Sequence, residues 1–398
     1  MGMDRRLLIR NGVIALPAGP MRADLLCEGH RIVAIGRELR SDGAAELDAA
    51  ELTMGPGFVD VHVHGGGGQS FFMSDPGQVT AYAEWAPRNG VTSFLVSTVG
   101  DDELRTIEML QMLALAFGDG SHAEPLGFHL EGPFISPARR GAFPEEILRI
   151  PASLEYERYQ EAAGGLIRQV TLAPEVPGGL GLATSVALSG AVSAMGHTDA
   201  TAEQARRGFD CGVSHVTHLF NAMRPVHHRE GGAAVAALLD GSVTCELICD
   251  GAHLSADTIR LAYRALGPNR TVVVTDNLSI AGTAMKTGSF NTAPIKVRGA
   301  TAIRPDGTIV GSVATMDQHF RNVVAFLDID LPTAFRICST NPARVAGMSD
   351  RKGALGHGMD ADIVLVDSSL KVVATVCRGR LAYLRDPVRL QTEKAAPR

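Results

Sequence analysis

Lysine is scarce in this chain: only five occur (Lys286, Lys296, Lys352, Lys371 and Lys394), out of 37 lysines and arginines in 398 residues. Acidic residues number 43, so the net charge is −6. Nothing in that balance suggests a nucleic-acid surface, although a local basic pocket stays open. No Cys-x-x-Cys pair exists among the six cysteines (Cys27, Cys211, Cys245, Cys249, Cys338 and Cys377), which argues against a disulfide framework or a zinc ribbon. Cys245 and Cys249 read as small apolar residues of a buried strand. A long apolar run is missing too. The amino-terminal stretch is broken by Arg10 and Asn11, so it reads neither as a signal peptide nor as a spanning helix. A cytoplasmic location and no membrane partner follow as the expectation.

What is present suffices for a core, with 45% hydrophobic and 20% charged residues. At ~150 residues per domain the length suggests two or three domains, but α/β barrels run to ~250 residues as one unit. The 44 glycines are scattered in turn positions, as suits many short loops. Residues 1–56 read as short strands around a hairpin turn at Glu28-Gly29-His30, and 346–398 look similar around Asp362–Asp367 and Lys371–Val376. Each end alone is too small to bury a core, so the two are expected to pair as one β-sandwich domain. The last ~14 residues read as a frayed tail.

Between them, over 57–345, eight apolar runs of strand length recur near 58–64, 91–98, 126–131, 168–174, 191–197, 213–218, 243–250 and 271–276. Most intervals carry helical signals. Asp75 and Pro76 open one and Gly90 lies past its end; Leu104, Ile107, Leu110, Leu113 and Phe117 share a face in the next; Ser255 opens a helix running to Leu266. Eight buried strands alternating with helices describe a (β/α)8 TIM barrel. A doubly wound open sheet is the competitor, but no GxGxxG turn follows the first strand.

In such a barrel, chemistry gathers at the carboxyl ends of strands. Those ends hold His62 and His64, on one face by alternation, then Glu131, His197, His218 and Asp276. Imidazoles and carboxylates on five strand ends form a ligand set for a first-row transition metal. His129 and His215 fall on the wrong parity for the same pocket and read either as structural or as supports behind the ligands. Asp60 could orient a neighbouring imidazole instead of binding metal.

The run Pro56-Gly57-Phe58-Val59-Asp60-Val61-His62-Val63-His64-Gly65 resembles the first-strand signature of the amidohydrolase superfamily, and Gly358–Val364 looks like its returning sandwich strand. Within it, His129–Phe134, Gly196-His197-Thr198, Thr217-His218-Leu219-Phe220-Asn221-Ala222-Met223, His227-His228-Arg229-Glu230 and Gly311-Ser312 with Thr315-Met316-Asp317 resemble the N-acetylglucosamine-6-phosphate deacetylase family. The similarity covers nearly the whole chain. Many binuclear amidohydrolases bridge their metals with a carboxylated lysine on strand four, yet 169–174 contains none. Glu131 is then the candidate bridge, which argues against hydantoinase-like and urease-like readings.

The resemblance implies metal-dependent hydrolysis of the acetamide of an amino-sugar phosphate. Glu131, His197 and His218 would hold the main divalent ion, and His62 and His64 a second, for one or two per subunit. Zinc suits the ligands, and iron, manganese and cobalt share them. Asp276 would move the proton, and His253 would contact the carbonyl or a sugar hydroxyl. Arg229 with the amides of Asn221 and Ala222 would bind the phosphate. In this family the arginine can serve the neighbouring subunit, which implies a homodimer. Sugar-facing positions depart from the family pattern. Phe143 follows Gly141-Ala142 where a sugar-contacting histidine is usual, Gly231 replaces a proline, Asn277 stands where alanine is common, and Ala252 is smaller than usual. An amidohydrolase for another N-acyl substrate, and a sugar-phosphate-sensing barrel without chemistry, are the rival readings.

Overall fold

All eight apolar runs form strands in the computed structural model, which describes residues 6–391 apart from 17, 41–42, 119–121 and 291–292. They are β1 (Phe58–Val63), β2 (Val91–Thr98), β3 (Glu124–Glu131), β4 (Ile167–Leu172), β5 (Val192–Met195), β6 (Val213–Val216), β7 (Thr244–Ile248) and β8 (Thr271–Val274). Each pairs in parallel with the next in chain order. Helices cover the outer face, so both faces of a strand are buried and its sequence reads as an unbroken apolar run; β2 has no residue exposed.

The ring closes where β8 meets β1, and it closes at the carboxyl ends. Asp276 donates its amide to the His62 carbonyl, and His64 donates its amide to the Asn277 carbonyl, each at 2.9 Å. Below them, the buried Asp60 carboxylate accepts from the Thr275 hydroxyl at 2.6 Å and from the Thr275 amide at 3.3 Å. Burial pushes the Asp60 carboxyl up to about 7, against the lowering effect of those Thr275 bonds. Asp60 therefore stitches the seam and orients no imidazole.

The helices begin and end where their caps dictate. Asp75 accepts from the Gly77 amide at 2.8 Å to open Pro76–Trp85, and a further 3-10 turn runs to Gly90 at φ 79°. Ser255 opens the next-to-last barrel helix, whose regular part stops at Gly267 (φ 68°) ahead of Pro268. One expected face is corrected. In Glu103–Ala114 the buried residues are Thr106, Met109, Leu110 and Leu113, while Leu104 is 73% exposed in the first turn.

Two features lie outside the barrel. After β8 the chain makes a four-stranded antiparallel sheet (Thr287–Phe290, Ala293–Arg298, Thr301–Ile303 and Ile309–Ser312), which the sequence reading did not contain. Its Phe290, Ile295 and Ala302 pack with Ile135, Phe143 and Leu278 as an apolar roof beside the barrel mouth. Both chain ends build a nine-stranded sheet with its own core, including Leu25, Met54, Ile363 and Val376. It forks at Arg6–Ile14, whose first half pairs in parallel with Ala45–Asp48 and second half with Thr53–Pro56. The expected tail is corrected in part, since Leu390–Gln391 pairs with Ala45–Asp48; residues 392–398 lie outside the described residues.

One buried ammonium pins the terminal sheet to the barrel. Lys352, with a fully buried side chain, lies 2.7 Å from Glu124 at the start of β3, 3.1 Å from Asp360 and 2.5 Å from Asp362. Burial alone would lower its pKa, but Asp362 and Glu124 outweigh that and raise it. Lys352→Met leaves the buried Asp362 without its cation, while Glu124 and Asp360 keep Arg351, and urea unfolding is expected to report a loss of about 3–5 kcal/mol.

Candidate metal centre

Strand ends supply the site in two ways. β1 presents His62 directly and His64 one position past its end, two residues apart and on one side of the pleat. β3 ends on Glu131. The other three donors follow strands through left-handed residues: His197 (φ 47°) after β5, His218 (φ 31°) after β6 and Asp276 (φ 51°) after β8. Non-glycine residues pay for that conformation, and such strain concentrates at functional sites. Gly196 is needed beside His197, because a Cβ there would lie 2.7 Å from Thr217 Cβ and 2.8 Å from Thr171 Cγ2.

The six side chains make two triads, each with ligand atoms mutually within 4.8 Å: Glu131, His197, His218, and His62, His64, Asp276. In the first, Glu131 Oε1 lies 3.2 Å from His197 Nε2 and 3.0 Å from His218 Nε2, and the two Nε2 atoms are 3.0 Å apart. In the second, the two Nε2 atoms are 3.3 Å apart, and Asp276 Oδ1 lies 3.6 Å from His62 and 3.4 Å from His64. Glu131 stands between them, with Oε1 3.3 Å from His62 and Oε2 3.1 Å from His64.

Hydrogen bonds behind the imidazoles turn their Nε2 atoms inward. His64 Nδ1 lies 3.1 Å from the Ser97 carbonyl, and His197 Nδ1 lies 2.9 Å from the Arg139 carbonyl. Each carbonyl can only accept, so Nδ1 carries the proton and Nε2 keeps a lone pair. His62 Nδ1 instead lies 2.9 Å from Glu246, a fully buried carboxylate on β7. Glu246 also meets His215, Gln169 and the His218 amide. It is absent from the sequence reading, although an acid inside Thr244-Cys245-Glu246-Leu247-Ile248 is the signal that points to it. His129 and His215 stay outside the triads, but parity is not the reason for His129: it lies two residues before Glu131, on the same side of β3 and deeper in the barrel, with its ring centroid 4.6 Å from that of His62. His129 bonds Ser97 and Thr171, and His215 bonds Thr244.

Inward lone pairs at these separations repel unless a cation or protons sit among them, which is how a divalent ion fits this donor set. Charge responds accordingly. Burial would depress His62, yet Glu131, Glu246 and Asp276 raise it well above the ordinary histidine range. His64 is likewise opposed by burial and raised to about 9 by Asp276 and Glu131. Burial would raise Glu131, but His62, His197 and His218 hold it well below the carboxylate range.

A cavity of about 380 Å³ opens onto the first triad. It is lined by Glu131, His197, His218 and Asp276, by Phe143, Phe220 and Phe290, by Asn221, Ala222 and His253, and by Thr308–Val310 of the inserted sheet. Phe143 sets its ring edge-on to His197, with centroids 4.8 Å apart. Asp250 fixes His253 by lying 2.7 Å from Nδ1 and accepting its amide at 2.8 Å. Asn221 lines the cavity, but its amide is already donated to the His218 carbonyl at 2.9 Å. Arg229 does not line its own chain's cavity. It is exposed, with Nη1 2.8 Å from His228, whose ring packs against His227 at a tilt of 40°, centroids 4.2 Å apart. No lysine or arginine lines the cavity among the described residues.

Comparison with known proteins bears on this geometry. Residues 53–382 match the model of the amidohydrolase family. The N-acetylglucosamine-6-phosphate deacetylase of Bacillus subtilis (strain 168) is 36% identical over 340 residues, covering 84% of this chain and 86% of that protein. The N-acetylgalactosamine-6-phosphate deacetylase of Escherichia coli O157:H7 is 32% identical over 341 residues, covering 85% and 89%. Among solved structures, a mutant of the Mycobacterium smegmatis N-acetyl-D-glucosamine-6-phosphate deacetylase, in complex with N-acetyl-D-glucosamine-6-phosphate, superposes with a TM-score of 0.88. It is 33% identical, over 96% of this chain and all of that one. No helix among the described residues is long and apolar enough to cross a membrane.

Protons should stand in for the ion when it is stripped. His64 has its pKa raised from 6.5 to about 9, so its stabilising contribution is complete below 6.5 and lost as pH rises through 9. The melting temperature of chelator-treated protein is therefore expected to fall across that window, and added divalent ion to remove the fall. A melting temperature independent of pH from 6.5 to 9 in the stripped protein contradicts this arrangement.

Proposed function

This chain belongs to the amidohydrolase family and is a metal-dependent hydrolase, and from that premise we propose that it removes the acetyl group from an N-acetylated amino-sugar phosphate, with N-acetylglucosamine 6-phosphate as the substrate. The observation that carries the reading is the joint presence, in one cavity, of the Glu131–His197–His218 triad and Asp276. Glu131, His197 and His218 hold the principal divalent ion, zinc by ligand chemistry, and His62 and His64 offer the second position with Glu131 between. A divalent ion there supplies Lewis acidity, lowering the pKa of a water from ~15.7 towards ~7 and polarising a carbonyl.

The chain's own groups supply the rest. Asp276 accepts the proton of the attacking water and returns it to the departing nitrogen as the tetrahedral intermediate collapses, because an amide anion leaves poorly. The Asp276 amide and carbonyl are locked by His62 and Ser312, which aims its carboxylate into the cavity. Asp250 accepts from the Nδ1–H of His253, which fixes the ring that lines the cavity, where it serves the acetamide carbonyl or a sugar hydroxyl. The Ala222 amide remains for the phosphate, since that of Asn221 is engaged. Arg229, exposed on its own subunit, serves the cavity of a neighbouring one in a homodimer, which supplies the guanidinium that the cavity itself lacks. Phe143 puts an apolar edge where the family places a histidine, which favours N-acetylgalactosamine 6-phosphate as the second reading.

Acetate release from metal-quantified protein, assayed on both epimers with and without the 6-phosphate, tests the substrate. Activity on none of them overturns the reading. Asp276→Asn is expected to lower kcat by about 10²–10⁴-fold while the protein keeps its principal ion. Co-expressed Arg229→Ala and Asp276→Asn chains are expected to recover activity that neither has alone. The absence of recovery in verified mixed dimers removes Arg229 from the neighbour's site.

A further inference from the structure

Glu246 is fully buried, is not itself among the residues that line the cavity, and has no part in the chemistry above. We propose that it is a positioning residue that sets both metal subsites from behind, an inference that rests on the metal centre just described. Its Oε2 lies 2.9 Å from His62 Nδ1 and accepts the His218 amide at 3.0 Å. One oxygen thereby touches a ligand ring of the second triad and the backbone of a ligand of the first. Its Oε1 lies 3.1 Å from His215 Nε2 and accepts from Gln169 Nε2 at 2.9 Å. Four donors from β1, β4, β6 and the turn after β6 thus converge on one carboxylate.

The partners differ in what they need from it. His64 and His197 give their Nδ1 protons to backbone carbonyls, which any side-chain sequence would supply. His62 alone among the inward imidazoles is backed by a carboxylate. An ionised carboxylate accepts only, so it fixes the proton on Nδ1, leaves Nε2 as the ligand atom and makes that nitrogen more basic. His218 has a different need. It sits at φ 31°, and its ring Nδ1 has no hydrogen-bond partner among the described residues, so the amide bond to Glu246 is its anchor. The carboxylate therefore couples occupancy of the His62–His64 position to the posture of His218. His215 and Gln169 hold the carboxylate itself in place.

Glu246→Gln keeps the shape and removes the charge. The probe is cadmium, titrated into chelator-treated protein and followed by ¹¹³Cd NMR, which counts occupied positions without reference to activity. Wild type is expected to bind two ions. Glu246→Gln is expected to retain the first and bind the second 10–100-fold more weakly. His215→Gln, which keeps a donor for Oε1 while changing the packing on the far side of the same carboxylate, is expected to keep both, separating positioning from core packing. Two ions bound with unchanged affinity by Glu246→Gln, or equal losses in both variants, overturn the proposal. Failure of wild type to bind any ion overturns the metal centre instead. Should the Glu246 variant not fold, ¹⁵N imidazole spectra of cadmium-loaded wild type decide: a proton on His62 Nδ1 with cadmium coupling to Nε2 is expected, and the reverse overturns the proposal.

Discussion

Six lone-pair donors aimed at one another across 3.0–3.6 Å are the constraint on which the rest of this molecule depends. Left to themselves they repel, and burying Glu131, Glu246 and Asp276 together compounds the cost. The barrel holds them by spending stability elsewhere. Three ligands leave their strands in the left-handed region, and each inward ring except that of His218 is gripped from behind. The result is a set of donors whose chemistry suits a divalent ion.

Closure of the barrel and assembly of the donors are one event. The bonds that join β8 to β1 run from Asp276 to His62 and from His64 to Asn277, so the last strand cannot dock without bringing Asp276 against the histidine pair. Asp60 and Thr275 continue the seam one layer down. The inserted sheet then adds the roof, and Gly311 lets it approach, since a Cβ there would lie 2.7 Å from the Asp276 carbonyl.

Much of this was legible in the residues. Parallel strands covered on both faces must be apolar throughout, so the eight runs stood out, and period-two alternation put His62 and His64 together; the same alternation puts His129 on the face of Glu131, so depth in the barrel and not parity keeps it out of the triads. What escaped was set by tertiary contact. Glu246 has no local partner, and its donors come from positions 28 to 184 residues away. The inserted strands are short and half-exposed, with no continuous apolar run to mark them. Leu104 keeps helical spacing with its neighbours but precedes the point where that helix meets the barrel. The motif names Arg229, and the resemblance already allowed it to serve a neighbouring subunit; in its own chain it does not line the cavity.

The absence of lysine from β4 has a consequence beyond ligand identity. A site bridged by a carboxylated lysine is finished only after a nitrogen has captured dissolved carbon dioxide, so its assembly depends on the gas and on pH. Glu131 carries its carboxylate from the moment of translation, poised between the two triads. This centre needs only folding and a cation, and it should form equally well in carbon-dioxide-free buffer.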